Sequence, residues 1–223
     1  MREIVLDTET TGFRQNDGDR IVEIGCIELV NHIATGNSYH QYINPERPMP
    51  GEAFNVHGLS DEFLYDFPIM AEVMDQFIEF IGEETPLIIH NAEFDIGFLN
   101  AELKRLEKPT IPITRSIDTV RMAKEKFPGA PASLDALCRR FSIDNTSRTL
   151  HGALLDAQLL SEVYLELIGG RQPDLELDSD KKSDNVEASD PKYREPRIYV
   201  SSDAEKAAHA EFLKKIKDPI WIN

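Results

Sequence analysis

Two rhythms of apolar residues alternate along the chain as far as Gly169-Gly170. Residues 2–7 (R-E-I-V-L-D) form a short apolar run of the length of a buried strand. Residues 20–30 (R-I-V-E-I-G-C-I-E-L-V) alternate in part and predict a second strand. Residues 37–43 predict a third, with turn signals at Asn31-His32 and Gly36 between them. The period then lengthens. Residues 69–81 carry apolar positions at helical spacing, 86–90 form a brief buried strand, and 92–106 read as a second amphipathic helix that stops before Lys108-Pro109. Ser133 has the chemistry of an N-cap for a short helix through Arg140, and 152–168 read as a long helix stopped by the glycine pair. Three strands in hairpin succession followed by alternating helix and strand predict an α/β domain with a mixed central sheet flanked by helices. An α+β domain of similar content is the alternative.

Beyond the glycine pair the pattern fades. Residues 173–203 are rich in Asp, Ser, Lys, Pro and Glu and poor in hydrophobes, the composition of a flexible linker. Apolar residues return in 202–223, where Phe212, Leu213 and Ile216 share one side of a predicted helix and Trp221, the chain's one tryptophan, follows. The division is thus a domain at 1–170, a flexible linker at 171–201 and a docking segment at 202–223.

Composition narrows the class. With 41% hydrophobic and 29% charged residues the 223-residue chain reads as soluble and globular. No apolar run nears the roughly 20 residues that span a bilayer, and the first residues lack a signal-peptide core, so the expected location is cytoplasmic. Cys26 and Cys138 have no metal-like spacing and are expected to be reduced. Formal net charge is −16, of which −14 falls in residues 1–170. That excludes a protein gripping nucleic acid through a basic surface.

The candidate chemistry is carboxylate chemistry. Asp7 and Glu9, two apart on the first strand in V-L-D-T-E-T-T-G, point to one face. Side by side they repel, and a divalent cation would relieve them; hard oxygen ligands suit Mg²⁺ or Mn²⁺ better than zinc. Alone, such a pair is more often a solvated strand end. Asp95 stands near a helix start among Phe94, Ile96, Phe98 and Leu99, either on a polar stripe or with a partner. In T-L-H-G-A-L-L-D-A, Asp156 sits on the first turns of the long helix, fixed, while His151 just ahead of it is free to swing, which suits a metal ligand beside a mobile base.

Strand D-x-E, mid-chain Asp, then H-x-x-x-x-D on a late helix: over residues 1–170 this pattern resembles the DEDD exonucleases of histidine subtype. With N-V-H-G-L and H-N-A-E-F-D-I-G-F-L it is similar to the proofreading (epsilon) family of bacterial DNA polymerase III. The resemblance implies a ribonuclease H-like fold and 3′→5′ hydrolysis of single-stranded DNA ends to nucleoside 5′-monophosphates. It implies two divalent ions held by Asp7, Glu9, Asp95 and Asp156, with Asp7 shared, and His151 as general base. It also implies contacts to the terminal nucleotide from Glu52 and His57 beside Asp7, Glu9 and Asp156, with Phe54 and Val56 lining the same pocket; Thr10 and Thr11 follow the catalytic strand, where their backbone N–H groups are expected to approach the 3′ end. An imidazole with ordinary pKa near 6.5 suits a base at neutral pH.

An acidic domain repels DNA, so weak, non-processive digestion is expected unless a partner delivers the 3′ end. Gln172, Leu175 and Leu177 in Q-P-D-L-E-L resemble the short peptide with which polymerase partners bind a sliding clamp. The segment with Phe212, Leu213, Ile216 and Trp221 is then expected to dock the DNA polymerase III catalytic subunit. Two alternatives stay open: an RNA-trimming exonuclease with the same catalytic residues, and a non-catalytic adaptor joining clamp and polymerase.

Overall fold

The computed structural model describes residues 1–146, 148, 150–169 and 200–217. Two compact units divide the chain, Met1–Leu175 and Glu176–Asn223. The first is built on β1 (Arg2–Thr10), the central strand of a five-stranded sheet. β1 pairs antiparallel with β2 (Ile21–Val30), which pairs antiparallel with β3 (Ile33–Tyr42). On its other side β1 runs parallel to β4 (Leu87–Ile89), and β4 runs parallel to β5 (Ser116–Asp118), giving the order β3-β2-β1-β4-β5. The mixed sheet is the one expected.

Eight α-helices belong to the described residues: α1 (Gly51–His57), α2 (Asp61–Leu64), α3 (Met70–Ile81), α4 (Ala92–Arg105), α5 (Thr119–Lys126), α6 (Leu134–Phe141), α7 (Ala153–Leu167) and α8 (Asp203–Leu213). Alternation along β1 sorts them into layers. Ile4 and Leu6 face a core shared with Met70, Met74 and Phe77 of α3 and with Phe98, Leu99 and Leu103 of α4. Val5 faces the opposite core, made with Leu137 and Cys138 of α6 and with Ala157, Leu160 and Val163 of α7. Each such side chain, taken fully out of water, contributes roughly 1.5–3 kcal/mol, so both layers hold β1 rigidly from its two faces. Cys26 and Cys138 are buried and unpaired, as expected.

The departures from expectation have local causes. β3 begins at Ile33, four residues before the expected start, because Asn31 and His32 both take positive φ (51° and 66°) and close a two-residue hairpin. Gly36 is not the turn but lies inside β3 at φ 87°, where the register against β2 shifts between Ile27 and Leu29. Four short elements were not anticipated: α1, α2, β5 and α5. Ser133 does cap α6, its Oγ accepting from the Ala136 N–H.

In the second unit, α8 opens with a capping box: the Ser202 hydroxyl accepts from the Glu205 N–H, and the Glu205 carboxylate accepts from the Ser202 N–H. Phe212 is exposed at its C-terminal end. The helix stops at Leu213, so Ile216 falls in the following turn rather than on a helical face. Gln172, Leu175, Leu177 and Trp221, with most of the predicted linker, lie outside the described residues. No described helix is long and apolar enough to cross a membrane.

Candidate active site

The carboxylates collect where β1 ends. Asp7 and Glu9 project from one face of the strand, and their neighbours across the ladder are Gly25 and Glu23 of β2. Gly25 decides what can approach. A methyl group there would lie 2.3 Å from the backbone carbon of Ala153 and from the nitrogen of Leu154, so only glycine lets the first turn of α7 lie against the sheet beside Asp7. That approach brings in Asp156 from the first turn of α7. The ligand atoms of Glu9, His151 and Asp156 all fall within 4.8 Å of one another, the grouping among the described residues that could hold a metal ion.

Asp95 enters from α4. Its carboxylate accepts from Thr8 Oγ1 at 2.6 Å, which supplies the partner its apolar neighbours demanded. Asn91, at φ 72°, turns the chain from β4 into α4, and its N–H is held by the Asp118 carboxylate. Asp95 is thereby fixed on the buried side of β1, close enough to push up the Asp7 carboxyl.

Burial and crowding of like charges set the protonation of this half of the site. Glu9 is pushed up to about 8, by burial first and then by Asp156, Glu23 and Asp95. Asp95 rises to about 7, chiefly by burial. Asp7 rises well above the ordinary carboxylate range through burial, then through Asp95, Glu9 and Asp156. Asp156 goes the other way. Burial alone would raise it, but hydrogen bonds from His151 and Arg148 hold it below its usual value.

Arg148 had no place in the sequence reading. Its guanidinium forks onto both oxygens of Asp156, with Nε donating at 2.5 Å and Nη2 at 2.7 Å. Nη1 donates to Asp135 of α6 at 2.7 Å, and Nη2 also lies 2.9 Å from Nδ1 of His151. The Arg148 side chain is 8% exposed, against 48% for His151. The one available signal was position: a cation three residues before the histidine in R-T-L-H.

The remaining predicted residues border this group. His151 precedes the α7 cap, its backbone N–H bonded to the carbonyl of Val56. The end of α1 and the His151 loop are thus joined. His57 is buried, and its Nδ1 accepts from the Leu59 N–H. Burial lowers its pKa. Thr10 is buried at the end of β1, where its hydroxyl donates to the Gly12 carbonyl. Glu52 stands exposed in the first turn of α1, and Phe54 and Val56 are exposed on the same short helix. Two histidines without a motif prove to be paired on the sheet, His32 with Glu3 and His40 with Glu23. His90 meets Thr119 Oγ1 at 2.9 Å.

Residues 4–164 match the family described as Exonuclease. The nuclease domain of 3′hExo, a DEDDh family member bound to rAMP, superposes with a TM-score of 0.64 at 16% identity, covering 75% of this chain and 91% of that one. Exonuclease X in complex with 5′-overhanging duplex DNA gives 0.57 at 25% identity, covering 74% and 90%. The fold is that of the DEDDh exonucleases. Over 223 residues the chain is 49% identical to the DNA polymerase III subunit epsilon of Rickettsia felis, covering 97% of each. To that of Escherichia coli K12 it is 52% identical over 179 residues, covering 76% of this chain and 72% of the relative. The chain belongs to the exonuclease family and, within it, to the epsilon subunits of DNA polymerase III, and is a 3′→5′ exonuclease.

The family uses divalent metal ions. The residues here fit such an ion on chemical grounds. The donors are carboxylate oxygens and one imidazole, which suit a hard cation. Burial, and for Asp7 and Glu9 the neighbouring acids, raise their proton affinities, and a bound cation would offset both effects.

Proposed function

We propose that this chain removes nucleotides from the 3′ ends of single-stranded DNA as the proofreading subunit of a replicative polymerase, with Asp7, Glu9, Asp95 and Asp156 holding two divalent ions, Mg²⁺ or Mn²⁺. The observation that carries the reading is the convergence of Glu9, His151 and Asp156 within 4.8 Å beside two further acids, half-buried Asp7 and buried Asp95. When bound, the ions supply an activated water and a stabilised leaving oxygen. His151 takes the proton from the attacking water; its exposure and its place ahead of a helix let the ring turn toward a substrate. Asp156, fixed on α7, keeps the ring oriented through its Oδ2, 3.4 Å from Nδ1. Gly25 sets the spacing by admitting α7 to the sheet.

Substrate is held by α1 and the strand end. Phe54 and Val56 offer apolar surface to the terminal base. Buried His57 and exposed Glu52 are the polar groups for the terminal sugar, with Thr10 beside them. Products are nucleoside 5′-monophosphates.

A domain carrying −14 holds DNA poorly, so the chain acts where a partner supplies the end. Residues 1–170 form the nuclease, 171–201 a linker whose Gln172, Leu175 and Leu177 bind the sliding clamp, and 202–223 the segment that docks the DNA polymerase III catalytic subunit. Phe212, exposed at the end of α8, supports the last assignment, with Leu213, Ile216 and Trp221 as its apolar companions. The test is release of label from 3′-labelled DNA and RNA oligonucleotides in parallel, with Mg²⁺, with Mn²⁺ and with chelator. Metal-dependent loss of mononucleotides from the DNA is expected. Preference for RNA would assign the chain to RNA trimming, and no release from folded protein would make it an adaptor.

A further inference from the structure

The proposed site already contains a cation. Both oxygens of Asp156 are engaged by one guanidinium in the planar fork that arginine makes with a carboxylate. The same group reaches Nδ1 of His151, and its remaining donor is tied to Asp135, which also accepts from Asn145 Nδ2 at 3.0 Å. Arg148 is therefore anchored outside the acid group by Asp135 and turned inward onto two residues proposed to do the chemistry.

Two consequences follow from elementary chemistry. A divalent ion and a guanidinium cannot share one half-buried carboxylate without strong repulsion, so an ion that takes Asp156 must displace at least one arm of the fork. A neutral imidazole has one donor and one acceptor nitrogen. Nδ1 of His151 faces both a donor, Arg148 Nη2 at 2.9 Å, and an acceptor, Asp156 Oδ2 at 3.4 Å, so in either tautomer one member of the Arg148–Asp156 pair holds the ring. The contact that neutralises Asp156 thus also holds His151.

We propose that Arg148 is a positioning residue and the resident counter-ion of this site: it holds Asp156 and His151 in place until a divalent ion takes Asp156, then withdraws toward Asp135 and lets the imidazole turn. The proposal rests on Asp156 being a metal ligand. It couples metal loading to release of the His151 ring through a single side chain. A purely structural arginine would have neither effect, because its removal would only loosen the site and weaken metal binding.

The test is Mn²⁺ binding to the full-length chain, read by electron paramagnetic resonance, together with ¹⁵N chemical shifts of the histidine rings with and without Mg²⁺. Arg148→Ala is expected to bind Mn²⁺ about fivefold or more tighter than the unaltered chain, since the ion no longer breaks a charge-assisted fork to enter. In the unaltered chain, Mg²⁺ is expected to shift the His151 ring nitrogens; in Arg148→Ala those shifts are expected to stand near the Mg²⁺-bound position before any metal is added. Thermal melting establishes that the variant folds; should it not, Arg148→Lys, which keeps a charge but loses the fork, is expected to tighten binding by a smaller factor and carries the same test. Unchanged or weaker Mn²⁺ binding in a folded variant, or His151 shifts indifferent to Mg²⁺, overturns the role of Arg148. Asp156→Ala separates the two levels: if that variant binds Mn²⁺ like the unaltered chain, the metal assignment itself has failed.

Discussion

The two sides of the acid group hold the same kind of side chain in opposite electrostatic states. On the sheet side, Asp7 and Glu9 of β1 and Asp95 of α4 crowd together, and their proton affinities rise. On the α7 side, Asp156 is also largely buried, yet it stays acidic because Arg148 and His151 bind it. Burial is common to both; a partner of opposite charge is not. A carboxylate's burial therefore says little about its charge until its neighbours are counted, and the sheet side is the half that lacks a cation.

Removing the residue that joins the halves should have the largest effect. Asp156→Ala is expected to lower exonuclease turnover by about three orders of magnitude or more while leaving circular dichroism unchanged. Near-normal rates would contradict its assignment as a ligand. His151→Ala should cost on the order of 10²–10⁴-fold in turnover, the usual range for a general base, with substrate affinity little altered. Gly25→Ala breaks the comparison sterically. With backbone atoms 2.3 Å from the new methyl group, α7 must move off β2. A loss of roughly 1–3 kcal/mol in stability is expected, together with most of the activity. Calorimetric melting and nucleotide release check both; normal melting with full activity would show that α7 does not need that approach.

The protonation states give a gentler test. Glu9 is raised from 4.5 to about 8 in the folded chain, and Asp95 from 3.8 to about 7. An acid harder to ionise when folded opposes folding once the unfolded chain has lost its proton. Their contribution to stability is thus full below about pH 4 and is lost as pH rises toward about pH 8. Asp156, held below its ordinary value, contributes the opposite slope and loses its share only in acid. In chelator the melting temperature should fall between about pH 5 and about pH 8, and saturating Mg²⁺ should flatten that fall. A pH-independent melting temperature in chelator would remove the electrostatic distinction between the halves. The smallest effect on catalysis is expected from deleting residues 171–223, which should leave hydrolysis of short oligonucleotides near normal and abolish binding to the polymerase catalytic subunit in pull-down.

How legible each half was in the sequence follows from the same contrast. The strand carrying Asp7 and Glu9 announced itself because its apolar run packs on both faces. The α7 stripe did so because Leu160, Val163 and Leu167 recur at helical spacing. β3 was shortened in expectation because its first residues are exposed and carry no alternation. α1 was missed because its apolar residues Phe54 and Val56 point outward while Ala53 and His57 are buried, the reverse of the usual pattern. β5 has three residues, too few to show a period. Gly25 and Arg148 escaped because their roles are relational. One matters through a helix 128 residues downstream, the other through carboxylates on two helices. A glycine inside an otherwise apolar strand was nonetheless a hint of close backbone approach.

The most direct measurement is a crystal grown with Mn²⁺ and a nucleoside 5′-monophosphate, with anomalous scattering recorded at the manganese edge. Two peaks are predicted among the oxygens of Asp7, Glu9, Asp95 and Asp156, with the nucleotide phosphate beside them and the His151 ring facing it. No peak there, or metal bound only at other surface acids, would contradict the account.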